Sequence, residues 1–297
     1  MQIRRMVLAP ATIAAAVGLA SGGVAVAEPA HDPQTLYFNH GYGVIDRTTA
    51  DAIEHSDYLR TFANFELRTT TGADGSTWTG RYLYGRETYL ELLGVGDIGG
   101  YPYGQVGLAV SVENDGELAT VEQRLDDPYT AVQTRDFGDG IPVPWFDFVY
   151  TTEDLDGFFA WAMEWRDEYF ADPRGKTEPP DHPGDVGRER YLNDGYRERL
   201  MRDVTGVHMA LTAKDLANTL PLLEAGGYRV RTTPGGAVAQ GGGTTLYFDA
   251  VPLDQIGLRQ VDFSLNRFAH RHVEQIGQST LVVGPGKRAV WTFPDVQ

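Results

Sequence analysis

The sequence predicts an α+β fold built from repeated βαβββ units whose strands form a curved sheet around a cup. Three observations carry this. A strand pattern holding one histidine occurs twice, at residues 36–44 with His40 and at residues 206–211 with His208, and each is followed by a strand pattern holding one carboxylate, Glu91 after 51 residues and Asp262 after 54. Three stretches begin alike, with an apolar strand run passing straight into a helical pattern. Alternation along the strands puts apolar residues on one face and polar residues on the other, as a sheet covered by helices on one side requires.

Residues 1–27 read as a segment that is not part of the fold. Arg4 and Arg5 precede a mostly apolar run at 6–20, and Ala25-Val26-Ala27 ends it as a small-x-small cleavage site. This is the pattern of a secretory signal peptide, and Arg4-Arg5-Met6-Val7-Leu8 also fits a loose twin-arginine pattern. The expectation is a secreted protein cleaved after Ala27.

The first unit is expected at 28–104: a strand at 36–44, a helix at 50–62 capped by Thr48 or Thr49, and strands at 65–71, 77–84 and 88–93. A second, incomplete unit is expected at 105–152, with a strand at 105–110, a helix at 115–125 and strands at 131–137 and 145–150. Residues 153–203 read as a helical and loop insertion: an aromatic-rich helix at 156–170, a proline-rich loop at 173–187 and a further helix at 191–201. The third unit is expected at 204–297. It has a strand at 207–211, a helix at 213–225 closed by Gly226-Gly227, strands at 228–232, 244–250 and 258–265, and a C-terminal hairpin around Gly284-Pro285-Gly286.

Composition narrows the function classes. The chain has 297 residues, no cysteine and a formal charge of -16. Removing residues 1–27 takes away two arginines and no acid, giving -18. Such a charge repels nucleic acid and anionic membranes, and past residue 27 no stretch is apolar enough to span a bilayer. Thiolate catalysis, cysteine zinc sites and iron–sulfur clusters are excluded, so any metal must be held by His, Asp, Glu or water.

The alternation also selects the site. Val207, Met209 and Leu211 share an apolar face, and His208 lies on the other. Val261, Phe263 and Leu265 oppose Asp262, and Leu90 and Leu92 oppose Glu91. His40, Glu91, His208 and Asp262 are therefore candidate ligands of a shared divalent metal, with Zn, Mn, Fe(II) and Ni suited to two imidazoles and two carboxylates. Glu91 or Asp262 is then the candidate catalytic base. Arg68, Arg81 and Tyr84 are candidate substrate contacts, an arginine there being able to hold a carboxylate by two parallel hydrogen bonds. His270 and His272 form a His-x-His pair that reads as surface. The four-ligand site requires units one and three to pair, whereas pairing of adjacent units joins one with two; the sequence leaves both open.

Asn39-His40, Tyr89-Leu90-Glu91-Leu92, Val207-His208-Met209-Ala210 and Val261-Asp262-Phe263 together resemble the vicinal oxygen chelate superfamily, which includes glyoxalase, extradiol dioxygenases and bleomycin-resistance proteins. The chain is also similar to a family of secreted actinobacterial proteins with no assigned function. The resemblance implies paired units forming a cup, and a divalent-metal-dependent lyase, isomerase or dioxygenase acting on a small oxygenated molecule. The alternatives, in second and third place, are a metal-free small-molecule-binding protein of the same fold and a non-catalytic interaction module. The sequence departs from the superfamily at Asp262, where glutamate is usual, and at Gly107, which stands where the second unit's histidine would be.

Overall fold

The computed structural model describes residues 33–72 and 74–296; the expected export segment, 1–27, lies outside them. The first unit runs β1 (Tyr37–Ile45), α1 (Arg47–Glu54), α2 (Asp57–Phe62), β2 (Asn64–Thr71), β3 (Thr77–Tyr84) and β4 (Tyr89–Ile98). The single helix expected at 50–62 is broken in two. Asp46, not Thr48 or Thr49, caps α1 by accepting from the Thr49 N–H, and the Ser56 hydroxyl opens α2 by accepting from the Leu59 N–H. Each satisfies a first-turn donor that has no partner within its helix.

The second unit is complete: β5 (Val106–Ser111), α3 (Glu117–Arg124), β6 (Tyr129–Asp136), β7 (Pro142–Tyr150) and β8 (Phe158–Trp165). The helix expected at 156–170 is a correction to the sequence reading, because β8 supplies the strand that the unit had seemed to lack. Its aromatics alternate with period two: Phe158, Ala160 and Ala162 are buried, while Phe159 and Trp161 turn to the other face. A run of aromatic residues carries no helix period of its own, and parallel pairing with β5 decides the conformation. Only short helices follow, α4 (Asp167–Ala171) and α5 (Arg188–Tyr191), and the helix expected at 191–201 is a single 3₁₀ segment, Asp194–Glu198.

The first two units close on each other. Within them β1 is parallel to β4, and β5 to β8; β1 meets β5 antiparallel, and Thr71 opposite Asp136 joins β2 to β6. The strand order β1-β4-β3-β2-β6-β7-β8-β5 is a closed barrel. This decides the pairing that the sequence left open, in favour of unit one with unit two.

The third unit is β9 (Met201–Leu211), α6 (Ala213–Ala225), β10 (Arg229–Thr233), β11 (Gly236–Gly241) and β12 (Thr244–Ala250). The strand carrying Asp262 is not its last strand. That strand is β13 (Gly257–Ala269), and it begins a fourth, helix-free set with β14 (His272–Ile276), β15 (Ser279–Val283) and β16 (Gly286–Thr292). The second sheet runs β10-β11-β12-β9-β13-β16-β15-β14 and stays open. The result is a mixed α+β fold of curved sheets.

The sheets pack against each other through β1 and β4 on one side and β13 and β9 on the other. Glycine at 41 and 43 permits this approach: a Cβ on Gly41 would lie 2.9 Å from Met209 Cε, and one on Gly43 3.2 Å from Leu258 Cβ. Phe62 meets Phe263 edge-to-face at 5.5 Å, both fully buried. Burying side chains of this size stabilises by about 1.5–3 kcal/mol each. A polar tie accompanies the apolar contacts. The fully buried Asp215 of α6 accepts the backbone N–H groups of Asp156, Gly157 and Phe158, each at 3.0 Å, and so fixes the start of β8.

Candidate functional site

The barrel holds a cavity of about 420 Å³ that opens to solvent. Its walls follow from the period-two alternation: His40 and Tyr42 come from β1, Trp78 and Tyr82 from β3, Tyr89 and Glu91 from β4, Phe146 and Phe148 from β7, and Phe159 and Trp161 from β8. Arg68 of β2, Trp145 of β7 and Tyr101 also line it. The residues between them, such as Gly41, Leu90 and Leu92, face outward into the packed core.

His40 is fixed by its neighbours. The β1–β5 register shifts between Phe38 and His40, leaving Asn39 as an extra residue, and such a bulge re-aims adjacent side chains. Asn39 Nδ2 donates to Ser111 Oγ at 2.9 Å, so Asn39 Oδ1 accepts from His40 Nδ1–H, also at 2.9 Å. The lone pair is thereby assigned to Nε2. The ring stacks on Tyr89 with centroids 4.2 Å apart and an interplanar angle of 13°, and the Trp161 ring meets it edge-on at 5.4 Å. Burial, aided by the Arg68 charge, pushes the His40 pKa down to about 3, so the imidazole is neutral at physiological pH.

Glu91 is also buried, and desolvation raises its pKa against the opposing effects of its Tyr82 hydrogen bond and the Arg68 charge. The Tyr82 hydroxyl donates to Glu91 Oε1 at 2.7 Å and accepts from Trp78 Nε1 at 3.1 Å. The Arg68 guanidinium lies over the Tyr82 ring, 4.2 Å from its centroid, and donates to the Tyr84 hydroxyl at 2.9 Å. The cavity therefore offers flat aromatic walls, a neutral imidazole, a buried carboxyl and one cation.

Of the four expected ligands, the structure brings only His40 and Glu91 to one cavity. His208 lies on the second sheet, on the face opposite Met209, and Met209 is the residue that packs against β1. Two back-to-back sheets therefore separate the imidazoles, and His208 Nε2 instead meets Asp249 Oδ2 at 2.7 Å. Asp262 lies opposite Gly206 on β9 and accepts from Gln260 Nε2 at 2.8 Å. Arg81 is corrected as well. It points to the outer face of the barrel, where it donates to the Ala50 carbonyl and pairs with Glu54 and Asp97. Tyr84 lines a neighbouring cleft with Arg68 rather than the cavity. His272 opens β14, stacks on Tyr58 at 4.2 Å and meets Glu274 at 2.9 Å.

The residues do not fit the four-ligand metal centre. In the first unit His40 lies opposite Tyr89, and Tyr42 opposite Glu91. In the second unit Gly107 lies opposite Phe159, and Ala109 opposite Trp161. Where the first unit has His40 and Glu91, the second thus has Gly107 and Trp161, neither of which is a donor for a metal. Among the described residues, no three His, Asp or Glu side chains converge on one point.

Sequence reasoning missed Asp249. Tyr247 lies opposite His208 as Tyr89 lies opposite His40, so Tyr247-Phe248-Asp249 is the counterpart of Tyr89-Leu90-Glu91. The shared Tyr-x-acid pattern was the available signal.

A family model described as a family of unknown function (DUF5829) matches residues 38–293. No curated protein matches the chain. Among solved structures, a hypothetical protein from Staphylococcus aureus is similar at 11% identity with a TM-score of 0.51, over 81% of this chain and 96% of that one. Homoprotocatechuate 2,3-dioxygenase from Arthrobacter globiformis matches at 16% identity and a TM-score of 0.37, over 77% of this chain and 64% of that one. A xylose isomerase-like TIM barrel/4-hydroxyphenylpyruvate dioxygenase fusion protein matches at 10% identity and 0.38, over 80% and 38%. The likeness to the Staphylococcus aureus protein is one of fold alone. With βαβββ units paired around a cavity, the fold is vicinal-oxygen-chelate-like.

Proposed function

We propose that this chain, which belongs to the family of unknown function DUF5829, is a binding protein that holds a planar aromatic small molecule in the barrel cavity without a metal. The observation that carries this reading is the aromatic lining of the cavity, where the His40–Tyr89 stack and the Trp161 and Phe159 rings stand beside the buried Glu91. Its flat walls gain by stacking on a flat guest, and aromatic pairs contribute about 0.5–1.5 kcal/mol beyond the area they bury. His40 Nε2 accepts a hydrogen bond, and Glu91 fixes a polar group of the guest. A cavity of about 420 Å³ falls within the range of roughly 300–1,000 Å³ common for small-molecule sites.

Thermal unfolding against a panel of planar aromatic compounds tests the reading. A ligand that binds only the folded state raises the melting temperature, and at a hundredfold excess over Kd it adds about 2.7 kcal/mol. The rise should disappear in a Trp161→Ala, His40→Ala double variant that remains folded. A panel that leaves the melting temperature unmoved counts against the cup as a binding site.

The metal-dependent lyase, isomerase or dioxygenase remains a second reading because His40 Nε2 and Glu91 do share the cavity. A metal there would take its remaining donors from water or the bound molecule, and elemental analysis after exposure to Zn, Mn, Fe(II) or Ni tests for it. Export is part of the proposal too: the protein recovered from culture medium should begin at Glu28.

A further inference from the structure

We infer that the molecule held by the barrel is an aryl oxyanion, with its aromatic body in the cavity and a carboxylate or phosphate group at the adjoining cleft near Arg68 and Arg135. This rests on the reading of the cavity as a binding site and specifies the ligand class.

The cleft measures about 470 Å³ and shares Arg68 with the aromatic cavity. Four cationic side chains line it, Arg68, Arg135, Arg174 and Lys176, against two carboxylates, Glu66 and Asp139. A local excess of positive charge is against the trend of a chain whose formal charge is -16. The two acids are already engaged. Glu66 meets Arg68 at 3.3 Å, and Asp139 is paired with Arg174, which Asp172 also holds at 2.7 Å.

Arg135 is different. Among the described residues, no carboxylate forms an ion pair with it. Its guanidinium lies 4.4 Å from the centroid of Phe137 and 5.5 Å from that of Trp145, and it donates to the Tyr169 hydroxyl. Trp145 is itself a wall of the aromatic cavity. A guanidinium has five N–H donors in a planar fork, and the Tyr169 bond uses one. Stacking holds that fork in a fixed plane, which favours two parallel hydrogen bonds to an oxyanion. Lys176, exposed at the rim, adds long-range attraction that salt would screen. An aryl group against Trp145 and an anionic group on Arg135 can therefore belong to one molecule.

Isothermal titration calorimetry on the full chain, with three probes of similar shape, tests this: naphthoate, naphthyl phosphate and the neutral naphthalenemethanol. The expected result is that at least one anionic probe binds roughly tenfold or more tighter than the neutral one, which corresponds to about 1.4 kcal/mol. In R135Q that preference, the ratio of anionic to neutral affinity, should shrink toward unity. R135K, which keeps the charge but not the fork, should restore part of it. K176Q, at an exposed position where folding is not at stake, should lower the preference and its salt dependence. Equal binding of all three probes, or a preference that survives R135Q intact, overturns the oxyanion assignment and leaves the aromatic cup standing. Failure of all three to bind the unaltered protein overturns the cup itself, and this inference with it.

Discussion

His40 and His208 stand at the same register of their units and face in opposite directions. Each lies across a parallel strand pair from a tyrosine, Tyr89 and Tyr247, and in each case an acid follows two residues later, Glu91 and Asp249. The units are thus copies in strand pattern, but the sheets that contain them pack back to back. His40 enters the barrel and His208 remains half-exposed beside Asp249.

Metal retention should therefore be independent of His208 and Asp262. Equilibrium dialysis against Zn, Mn, Fe(II) and Ni in turn should give the same bound metal for His208→Ala, for Asp262→Ala and for the unaltered protein. Any retention that does occur should fall in His40→Ala. A loss of metal on removing His208 would mean that the two imidazoles share a site after all.

Acid stability should carry the signature of His40. Its folded pKa is about 3 against 6.5 for an ordinary histidine, so between those values the unfolded state binds more protons. The stability of the neutral, buried ring is fully present above about pH 6.5 and is lost as pH falls toward 3, by up to roughly 1.4 kcal/mol per pH unit. Glu91 works the other way. Its raised pKa gives stability below the ordinary carboxylate value that is lost as pH rises through the folded one. Urea unfolding of His40→Gln should show a smaller loss than the unaltered protein between about pH 7 and pH 4, since Glu91 is common to both. Equal losses would show that His40 does not drive the acid limb.

Arg81 should matter to stability and not to binding. It is buried between Glu54 and Asp97, and Arg81→Met removes the buried one of the two cations those carboxylates share, leaving them only the half-exposed Arg47. The expected cost is about 1–3 kcal/mol, read from the denaturant midpoint. Calorimetry with an aryl probe below the unfolding temperature should give an unchanged Kd. A stable variant with weakened binding would return Arg81 to the list of ligand contacts.

Gly107→Ala should damage the cavity directly. An added Cβ would lie 2.0 Å from Tyr42 Cε1 and 2.7 Å from the Phe159 carbonyl oxygen. The Tyr42 ring must move, at a cost of about 1–3 kcal/mol, and the weakened binding of an aryl probe should accompany the loss of stability. The same contact explains why no histidine stands there: the space that its side chain would need belongs to Tyr42.

The sequence by itself determined most strands of the first unit, the helix at 213–225 and the two faces of each strand it identified. The alternation of Leu90 and Leu92 with Glu91, and of Met209 with His208, is a covalent property of extended chain, so it could be read without a structure. The βαβββ order of the first unit was readable for the same reason, as was the placing of His40 and Glu91 on one side of the first sheet; in the third unit β11 was not read and the strand at 258–265 stood in its place. Tertiary structure decided the rest. Whether 158–165 became helix or strand depended on pairing with β5, because aromatic residues suit either. Which units joined depended on the β1–β5 and β2–β6 edges, and no local pattern encodes a partner so distant in the chain. Arg68 and Arg81 share a residue type and a strand-rich setting. One reaches the cavity and the other the underside of α1, because their positions fall on opposite faces of the closed barrel. The four-ligand site depended on an assumption about sheet packing. Glycines 41 and 43, by letting Met209 and Leu258 approach the back of β1, put His208 on the far side of the second sheet.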